Sequence, residues 1–218
     1  YQFKRLDRVV VLCNFDANRY RNYDKNINPC VIYNPLTLSP GALSKGTSKK
    51  FLAVGRFSHL HKGFDILINA FNIFAKNDKE WTLDIVGEGP EEAMFRELIS
   101  KYSLENRITI HPFTSDIQSH YSEAQIYVLS SRWEGFGLVL VEAMAHGLPV
   151  VSSDLPTSHE IMGDFGMYFK NGDAEALAMK LHEAPTIDWK EKSEKAIEIS
   201  RCFDVDNITA QWVSIIES

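Results

Sequence analysis

The sequence predicts an α/β fold in which helices cover both faces of a parallel, Rossmann-like sheet. Short apolar runs alternate with amphipathic helical segments along most of the chain, which is the pattern of repeated strand–helix units. The chain has 218 residues, and 44% of them are hydrophobic, enough for one sizeable core. No internal repeat or low-complexity tract interrupts this pattern.

The first part of the chain predicts a small unit ahead of the main body. Two apolar runs, residues 7–13 and residues 30–36, are expected to be strands, and the polar segment 15–24 between them a surface helix or loop. The second run ends at Asn34-Pro35. From Thr37 to Lys50 the composition shifts to Ser, Gly, Thr, Pro and Lys, which indicates a linker or exposed loop.

The main body then alternates strand and helix in order. The predicted strands are "FLAVGRF", "WTLDIVGEGP", "RITIHPF", "QIYVLSS", "LPVVSS" and "GMYFK". The predicted helices are "KGFDILINAFNIFAKN", "EEAMFRELISKYS", "SDIQSHYSEA", "LVLVEAMAHG", "TSHEIMGD", "DAEALAMKLHEA", "WKEKSEKAIEISRCF" and "VDNITAQWVSIIES". The first helix buries one face because its apolar residues recur at helical spacing, and Gly147 caps the fourth.

Charge, hydropathy and cysteine usage exclude several classes of protein. The formal net charge is −6 and no basic stripe is present, which disfavours nucleic-acid binding. The longest apolar stretches are too short to span a bilayer, and no secretory signal opens the chain. Cys13, Cys30 and Cys202 are widely spaced and odd in number, so we expect reduced thiols in a cytoplasmic protein.

In a sheet of this type, ligands bind at the carboxyl ends of the strands. Four segments follow predicted strands and are therefore candidates for the site. They are "GRFSHLHKG" (55–63), "GEGP" (87–90), "HPFTSD" (111–116) and "SSRWEGFG" (130–137).

The first segment predicts an anion site. Gly55 allows close backbone approach, while Arg56 and Lys62 place two cations just before a helix. A cation beside the positive end of a helix is unfavourable by roughly 0.3–1 kcal/mol. The placement of both cations is explained if an anion binds between them and the helix N-terminus. His59 and His61 are interpreted as exposed loop residues, because the sequence offers no further ligands for a metal.

The last segment places two carboxylates around a glycine turn. Gly135 and Gly137 allow the turn, and the amides at Gly137 and Leu138 would then face a second anion position at the helix N-terminus. Glu134 and Glu142 have seven residues between them, so a close acid–base dyad is not expected. We interpret them as groups that bind different parts of one long ligand.

These motifs resemble the C-terminal domain of retaining GT-B glycosyltransferases, glycosyltransferase family 4. The resemblance is carried by "VGRFSHLHKGFDILINAF", "VGEGP", "SSRWEGFGLVLVEAMAHGLPVVSSD" and "YFKNGDAEALAMKL", in that order, and covers about residues 31–218. A Glu-x7-Glu pair alone is a weak signal. The glycine motif between the glutamates, with the Arg…Lys-Gly loop upstream and Gly-x-Pro-Val downstream, is specific.

The resemblance implies a UDP- or GDP-linked sugar as donor and assigns roles to the candidates. Arg56, Lys62 and Glu134 would be catalytic, the two cations on the diphosphate and Glu134 on the transferred sugar. Glu142 would bind the ribose hydroxyls. The remaining implied substrate-binding positions are Gly55, Gly87, Phe113, Gly135, Phe136, Gly137 and Leu138, with the nucleobase near "GEGP" and "HPFTSD".

The resemblance further implies metal-independent transfer, no cofactor and no metal site, because paired cations supply the electrostatic stabilisation. It implies three units: residues 1–30 as a remnant of an N-terminal acceptor domain, 31–205 as the sugar-nucleotide domain, and 206–218 as a helix that crosses back to the first domain. The chain begins with Tyr1, so we expect a piece of a longer protein, inactive in transfer by itself. The implied acceptor is a polysaccharide, glycolipid or similar molecule, and peripheral association with the inner face of the membrane is left open.

One segment departs from the family pattern, and alternative functions remain. "LPTSHEI" stands where the family often has glycines before its Glu-Ile, so contacts to the sugar from this loop are in doubt. A sugar-nucleotide epimerase of GT-B fold and a non-catalytic sugar-nucleotide-binding module are the alternatives. A dehydrogenase is disfavoured because no GxGxxG follows any predicted strand.

Overall fold

The computed structural model describes residues 6, 8–38, 41–58 and 60–217. Its strands are β1 (Val10–Val11), β2 (Cys30–Val31), β3 (Lys50–Val54), β4 (Thr82–Val86), β5 (Ile108–His111), β6 (Ile126–Leu129), β7 (Val150–Ser153) and β8 (Met167–Phe169). Its helices are α1 (Asn14–Tyr23), α2 (Phe64–Phe74), α3 (Glu92–Lys101), α4 (Ile117–Glu123), α5 (Leu138–Ala145), α6 (Pro156–Met162), α7 (Ala174–Glu183), α8 (Trp189–Ser200) and α9 (Val205–Ile216).

Strands β3 to β8 form one parallel sheet of six strands in the order β5-β4-β3-β6-β7-β8. The chain runs outward from β3 in one direction and then returns to continue from β6 in the other. The order therefore reverses between β3 and β6, and the crevice at their carboxyl ends is where such sheets bind ligands. The prediction of a parallel sheet is confirmed.

Helices cover both faces of this sheet, as predicted. Alternate residues of the central strand face opposite sides: Phe51 packs with α2, α3 and α7, and Leu52 packs with α4 and α5. A strand buried on both faces reads as a continuous apolar run, which is why "FLAV" shows no alternation with polar residues. Within the described residues, no helix combines the length and the apolar character needed to cross a bilayer.

The N-terminal segment packs directly on the main body. β1 and β2 form a separate two-stranded parallel sheet, so both predicted strands exist but are shorter than their apolar runs. Glu160 on α6 accepts hydrogen bonds from the Asn14 backbone amide (2.8 Å) and the Tyr33 hydroxyl (3.0 Å). The Leu36 amide donates to the Phe203 carbonyl at 2.7 Å. The expected boundary at residues 30 and 31 lies within β2, and the three-unit division stays a prediction.

The remaining sequence predictions concern α9 and the cysteines. α9 is the predicted last helix, and its apolar residues Trp212, Val213 and Ile216 are exposed. Cys13 is buried whereas Cys30 and Cys202 are exposed, and all three are free thiols.

Candidate functional site

A cleft of about 900 Å³ opens at the carboxyl ends of β3, β4 and β5. It contains five of the residues predicted from the sequence, namely Gly55, Arg56, Gly87, Phe113 and Glu142. The other lining residues are Val54, Val86, Glu88, Gly89, Thr114, Ser115 and Ile117. Three of the four candidate segments therefore meet in one cavity with α5.

The floor of the cleft consists of two loop backbones in direct contact. A Cβ atom at Gly87 would lie 2.0 Å from the Gly55 carbonyl oxygen, and one at Gly89 would lie 2.4 Å from the Phe57 carbonyl oxygen. The Phe57 amide donates to the Glu88 carbonyl at 2.8 Å. These glycines are required for the packing of the two loops, and a ligand above them would meet backbone rather than side chains.

Arg56 and Phe113 present exposed side chains at the cleft. Phe113 is 69% exposed, which is unusual for a large apolar side chain and leaves its ring open to a planar ligand. Arg56 has no carboxylate partner among the residues that the structure describes. A cation in this position is available to an anionic ligand.

Lys62 and Glu134 form an ion pair beside the cleft. Lys62 Nζ lies 2.7 Å from Glu134 Oε1, and the Ser131 hydroxyl donates to the same oxygen at 2.6 Å. Only 19% of the lysine side chain and 10% of the glutamate side chain are exposed. The sequence assigned these two residues to separate parts of a ligand and did not reveal that they contact each other.

Three further contacts hold the two loops of this ion pair together. The Ser130 hydroxyl donates to the Lys62 carbonyl at 2.9 Å, and the Arg132 guanidinium donates to both carboxylate oxygens of Asp65 at 2.8 and 2.6 Å. Gly63, which follows Lys62, has φ 62°, and a Cβ there would lie 2.2 Å from the Ser130 carbonyl oxygen. Ser131 and Arg132 were not predicted as site residues, although both lie within the motif "SSRWEGFG".

The residues of the glycine turn before α5 differ in their surroundings. Gly137 has φ 96° and is the N-cap of α5, and because glycine has no capping side chain, the first-turn amides, such as that of Leu138, depend on other acceptors. Gly135 has room around it, with the nearest atom 3.6 Å from a built Cβ. The ring of Phe136 instead stacks on Tyr33 at 5.7 Å and packs on Phe203 at 5.8 Å. The ring of Phe136 is therefore part of the core and not open to a ligand.

Glu142 lies one turn into α5 and is oriented by a buried tyrosine. The Tyr121 hydroxyl donates to Glu142 Oε2 at 2.8 Å, and burial raises the pKa of Tyr121 well above its ordinary value, so it remains a donor. The Glu142 carbonyl bonds to His146 Nδ1 at 2.8 Å, and burial lowers the pKa of His146. The two glutamates therefore have separate hydrogen-bond partners, Ser131 for Glu134 and Tyr121 for Glu142.

A cluster of potential metal ligands lies next to the cleft, although the sequence predicted none. Asp84, His111 and His120 each offer a ligand atom, and these atoms lie within 4.8 Å of one another. Burial, and secondarily the charge of His111, lowers the pKa of His120. In the histidine loop, Ser58 Oγ lies 3.1 Å from His61 Nδ1. His59 lies outside the described residues.

Comparison with known proteins finds one matching family model and several relatives. The family model described as "Glycosyl transferases group 1" matches residues 37–201. An uncharacterized glycosyltransferase of Haemophilus influenzae is 30% identical over 96% of this chain and 61% of its own length. The UDP-N-acetylglucosamine–peptide N-acetylglucosaminyltransferase GtfA subunit of Streptococcus agalactiae is 37% identical over 73% of this chain and 33% of its own length. The chain thus spans less than two thirds of these relatives.

Solved structures share the fold at lower sequence identity. A variant of S. aureus TarM, in complex with Fondaparinux, alpha-GlcNAc-glycerol and UDP, superposes with a TM-score of 0.89 at 23% identity, covering 100% of this chain and 45% of that one. HepE of Anabaena, in complex with UDP and glucose, gives a TM-score of 0.87 at 22% identity, covering 99% and 64%. These neighbours are glycosyltransferases of the GT-B fold, which has two Rossmann-like halves, and this chain has the fold of one such half.

Proposed function

This chain belongs to the glycosyl transferases of group 1, and from that premise we propose that its cleft binds a nucleoside diphosphate sugar as the donor for glycosyl transfer. The observation that carries the proposal is the meeting of Arg56, the Gly87 backbone and Glu142 in one cavity at the point where the strand order reverses. UDP is the nucleotide we favour, because the TarM and HepE complexes both contain it.

We assign the nucleoside to the part of the cleft between β4, β5 and α5. Its base would lie over the backbone of Gly87 to Gly89 and against the exposed ring of Phe113. Its ribose would place two adjacent hydroxyls on Glu142, whose carboxylate the Tyr121 hydroxyl orients at 2.8 Å. Hydrogen bonds to a charged acceptor of this kind contribute about 1.5–3 kcal/mol.

We assign the diphosphate to the space between Arg56, Lys62 and the N-terminus of α5. Arg56 would pair with the phosphates directly. Lys62 is already near-buried against Glu134, so it would approach the phosphates while retaining one contact with that carboxylate. The first-turn amide of Leu138 would add a donor at the positive end of the helix.

The chemical step follows from these positions. Cleavage of the bond between the sugar's anomeric carbon and the diphosphate leaves negative charge on the departing phosphate oxygen. Arg56 and Lys62 would stabilise that charge without a metal ion, because fixed cations act strongly in a site from which water is excluded. Glu134 would hold hydroxyls of the transferred sugar, and Ser131 and Lys62 would fix its orientation.

We propose that the whole protein transfers the sugar with retention of anomeric configuration to a polysaccharide, glycolipid or similar acceptor. A relative named for amylovoran biosynthesis, AmsD of Erwinia amylovora, is 28% identical over 96% of this chain and supports a polysaccharide acceptor. We assign recognition of the acceptor to residues outside the chain, which covers 62% of that relative. No observation favours an epimerase or a non-catalytic module over this function.

The test offers radiolabelled UDP-glucose and UDP-N-acetylglucosamine to the 218-residue chain, with candidate oligosaccharide and lipid acceptors. We expect binding of a donor and at most slow donor hydrolysis, because transfer requires an acceptor hydroxyl aligned on the anomeric carbon. Absence of binding to any nucleotide sugar would contradict the donor assignment. Robust transfer by the chain alone would contradict the assignment of the acceptor site.

A further inference from the structure

Three side chains from separate elements converge on the sheet face that α4 covers. Asp84 lies on β4, His111 ends β5, and His120 lies on α4. Their ligand atoms lie within 4.8 Å of one another, and the rings of the two histidines are 4.7 Å apart. One carboxylate and two imidazoles are the ligand types that zinc and related metals prefer.

The spacing of two of these atoms matches a metal's coordination shell. His111 Nε2 lies 3.3 Å from Asp84 Oδ2. Zinc bonds of about 2.0–2.2 Å in a tetrahedral site hold neighbouring ligand atoms roughly 3.3–3.5 Å apart. His111 Nε2 is also inaccessible to solvent, and within the described residues its contact with Asp84 Oδ2 is not accompanied by a hydrogen bond.

Lys50 forms an ion pair with the carboxylate of Asp84. Lys50 Nζ lies 3.0 Å from Asp84 Oδ2 and 3.6 Å from Glu123 Oε2. Asp84 is largely buried, whereas 66% of the Glu123 side chain is exposed. A bound cation at Asp84 would repel the ammonium group, and Glu123 offers Lys50 an alternative partner within reach.

We propose that Asp84, His111 and His120 form a binding site for a divalent transition metal ion of the zinc class, with the remaining coordination positions taken by water. The ion would join α4 to β4 and β5 immediately behind the cleft wall, since His111 stands two residues before Phe113. This site is separate from the residues assigned to the diphosphate, and it would therefore bind metal without any nucleotide.

The experiment titrates the chelator-treated 218-residue chain with ZnCl2 in the calorimeter, with no nucleotide present. We expect one ion per chain, a rise in Tm, and affinity reduced at least tenfold in both His111→Gln and His120→Gln. Visible absorption of bound Co²⁺ reports whether imidazoles coordinate it. Because the readouts need no donor, their outcome is independent of the proposed glycosyl transfer.

Two further variants sharpen the test. Lys50→Met removes the competing ammonium group and is expected to tighten zinc binding several-fold. His159→Gln is the matched control and is expected to leave the affinity for zinc unchanged. His159 Nε2 also lies close to a carboxylate, 2.6 Å from Asp154 Oδ1, but it forms no part of the three-residue cluster. The proposal is overturned if the wild-type chain binds zinc no more tightly than the double variant His111→Gln/His120→Gln.

Discussion

Lys62 Nζ lies 2.7 Å from Glu134 Oε1, and this contact joins the loop before α2 to the loop before α5. Each residue alone would be a poorly solvated charge, because both side chains are at least four-fifths buried. Removing one partner of a buried pair is costly, of the order of 3–5 kcal/mol, when the other charge is left unpaired. The pair therefore holds the two loops together, and in the function proposed above a diphosphate would supply a second negative partner for the lysine.

Neutralising Glu134 should separate affinity for the sugar from affinity for the nucleotide. In Glu134→Gln we expect UDP to bind as tightly as in the wild type or more tightly, because Lys62 is freed for the phosphates. The additional affinity for UDP-sugar over UDP should fall by about 1.5–3 kcal/mol. Calorimetric titration with both ligands measures this, and an equal loss for UDP and UDP-sugar would refute the division of roles.

Removing the carboxylate of Glu142 should weaken binding of the bare nucleotide. We expect Glu142→Ala to lose on the order of 1.5–3 kcal/mol in UDP binding, since the ribose hydroxyls lose a charged acceptor. Tyr121→Phe is the control: it removes the 2.8 Å hydrogen bond but retains the carboxylate, so its loss should be smaller. The assignment fails if a folded Glu142→Ala protein binds UDP like the wild type.

A methyl group at Gly87 should destabilise the fold. Its Cβ would lie 2.0 Å from the Gly55 carbonyl oxygen, so Gly87→Ala must separate two strand-end loops, at a cost of about 1–3 kcal/mol or more. Gly135→Ala is the matched control, because its Cβ would meet nothing closer than 3.6 Å. Urea denaturation compares their free energies of unfolding, and equal values would mean that the loops are not held this closely.

Stability should decrease in mild acid because of His146. Burial lowers its pKa in the folded chain, so the unfolded chain, with a pKa of about 6.5, binds more protons at pH values below about 6.5. The free energy of unfolding should therefore be fully retained above about pH 6.5 and fall as the pH drops through the lowered folded pKa.

The variant His146→Phe tests the source of this pH dependence. It keeps an aromatic ring against Tyr121, from which the His146 ring is 4.9 Å away, but cannot titrate. We expect it to lose less stability between about pH 7.5 and about pH 5.5 than the wild type does, whatever its stability at neutral pH. Identical losses in the two proteins would assign the acid sensitivity to other groups.

Most of the fold follows from local patterns, and that is why it could be predicted. Apolar runs such as "FLAV" and "TLDIV" are strands that are largely buried on both sides, and the helical spacing of Phe64, Leu67 and Phe71 marks the buried face of α2. The lengths of β1 and β2 were overestimated, because within the part of the chain that the structure describes each pairs only with the other, and apolar character alone does not set a strand's length.

The site was predicted only in part, because its contacts join distant parts of the chain. The rule that ligands bind at strand ends predicted a common site for Arg56, Gly87 and Glu142, and all three residues line one cleft. No spacing rule pairs Lys62 with Glu134, which are 72 residues apart. Phe136 was predicted to bind substrate because it lies in the glycine motif, but its ring packs in the core. The cluster around Asp84 escaped detection for the same reason, since its three residues lie on three elements.

Titration of the 218-residue chain with UDP in the presence of a chelator tests the proposed donor site. We predict binding of one UDP per chain without metal, weakened about tenfold or more by Arg56→Ala, since a charge-assisted bond to phosphate is worth about 1.5–3 kcal/mol. Arg19→Ala, which alters an exposed arginine outside the cleft, should bind UDP like the wild type. Failure to bind UDP or any other nucleoside diphosphate, or binding only after addition of Mg²⁺ or Mn²⁺, would contradict a metal-independent nucleotide site in this cleft.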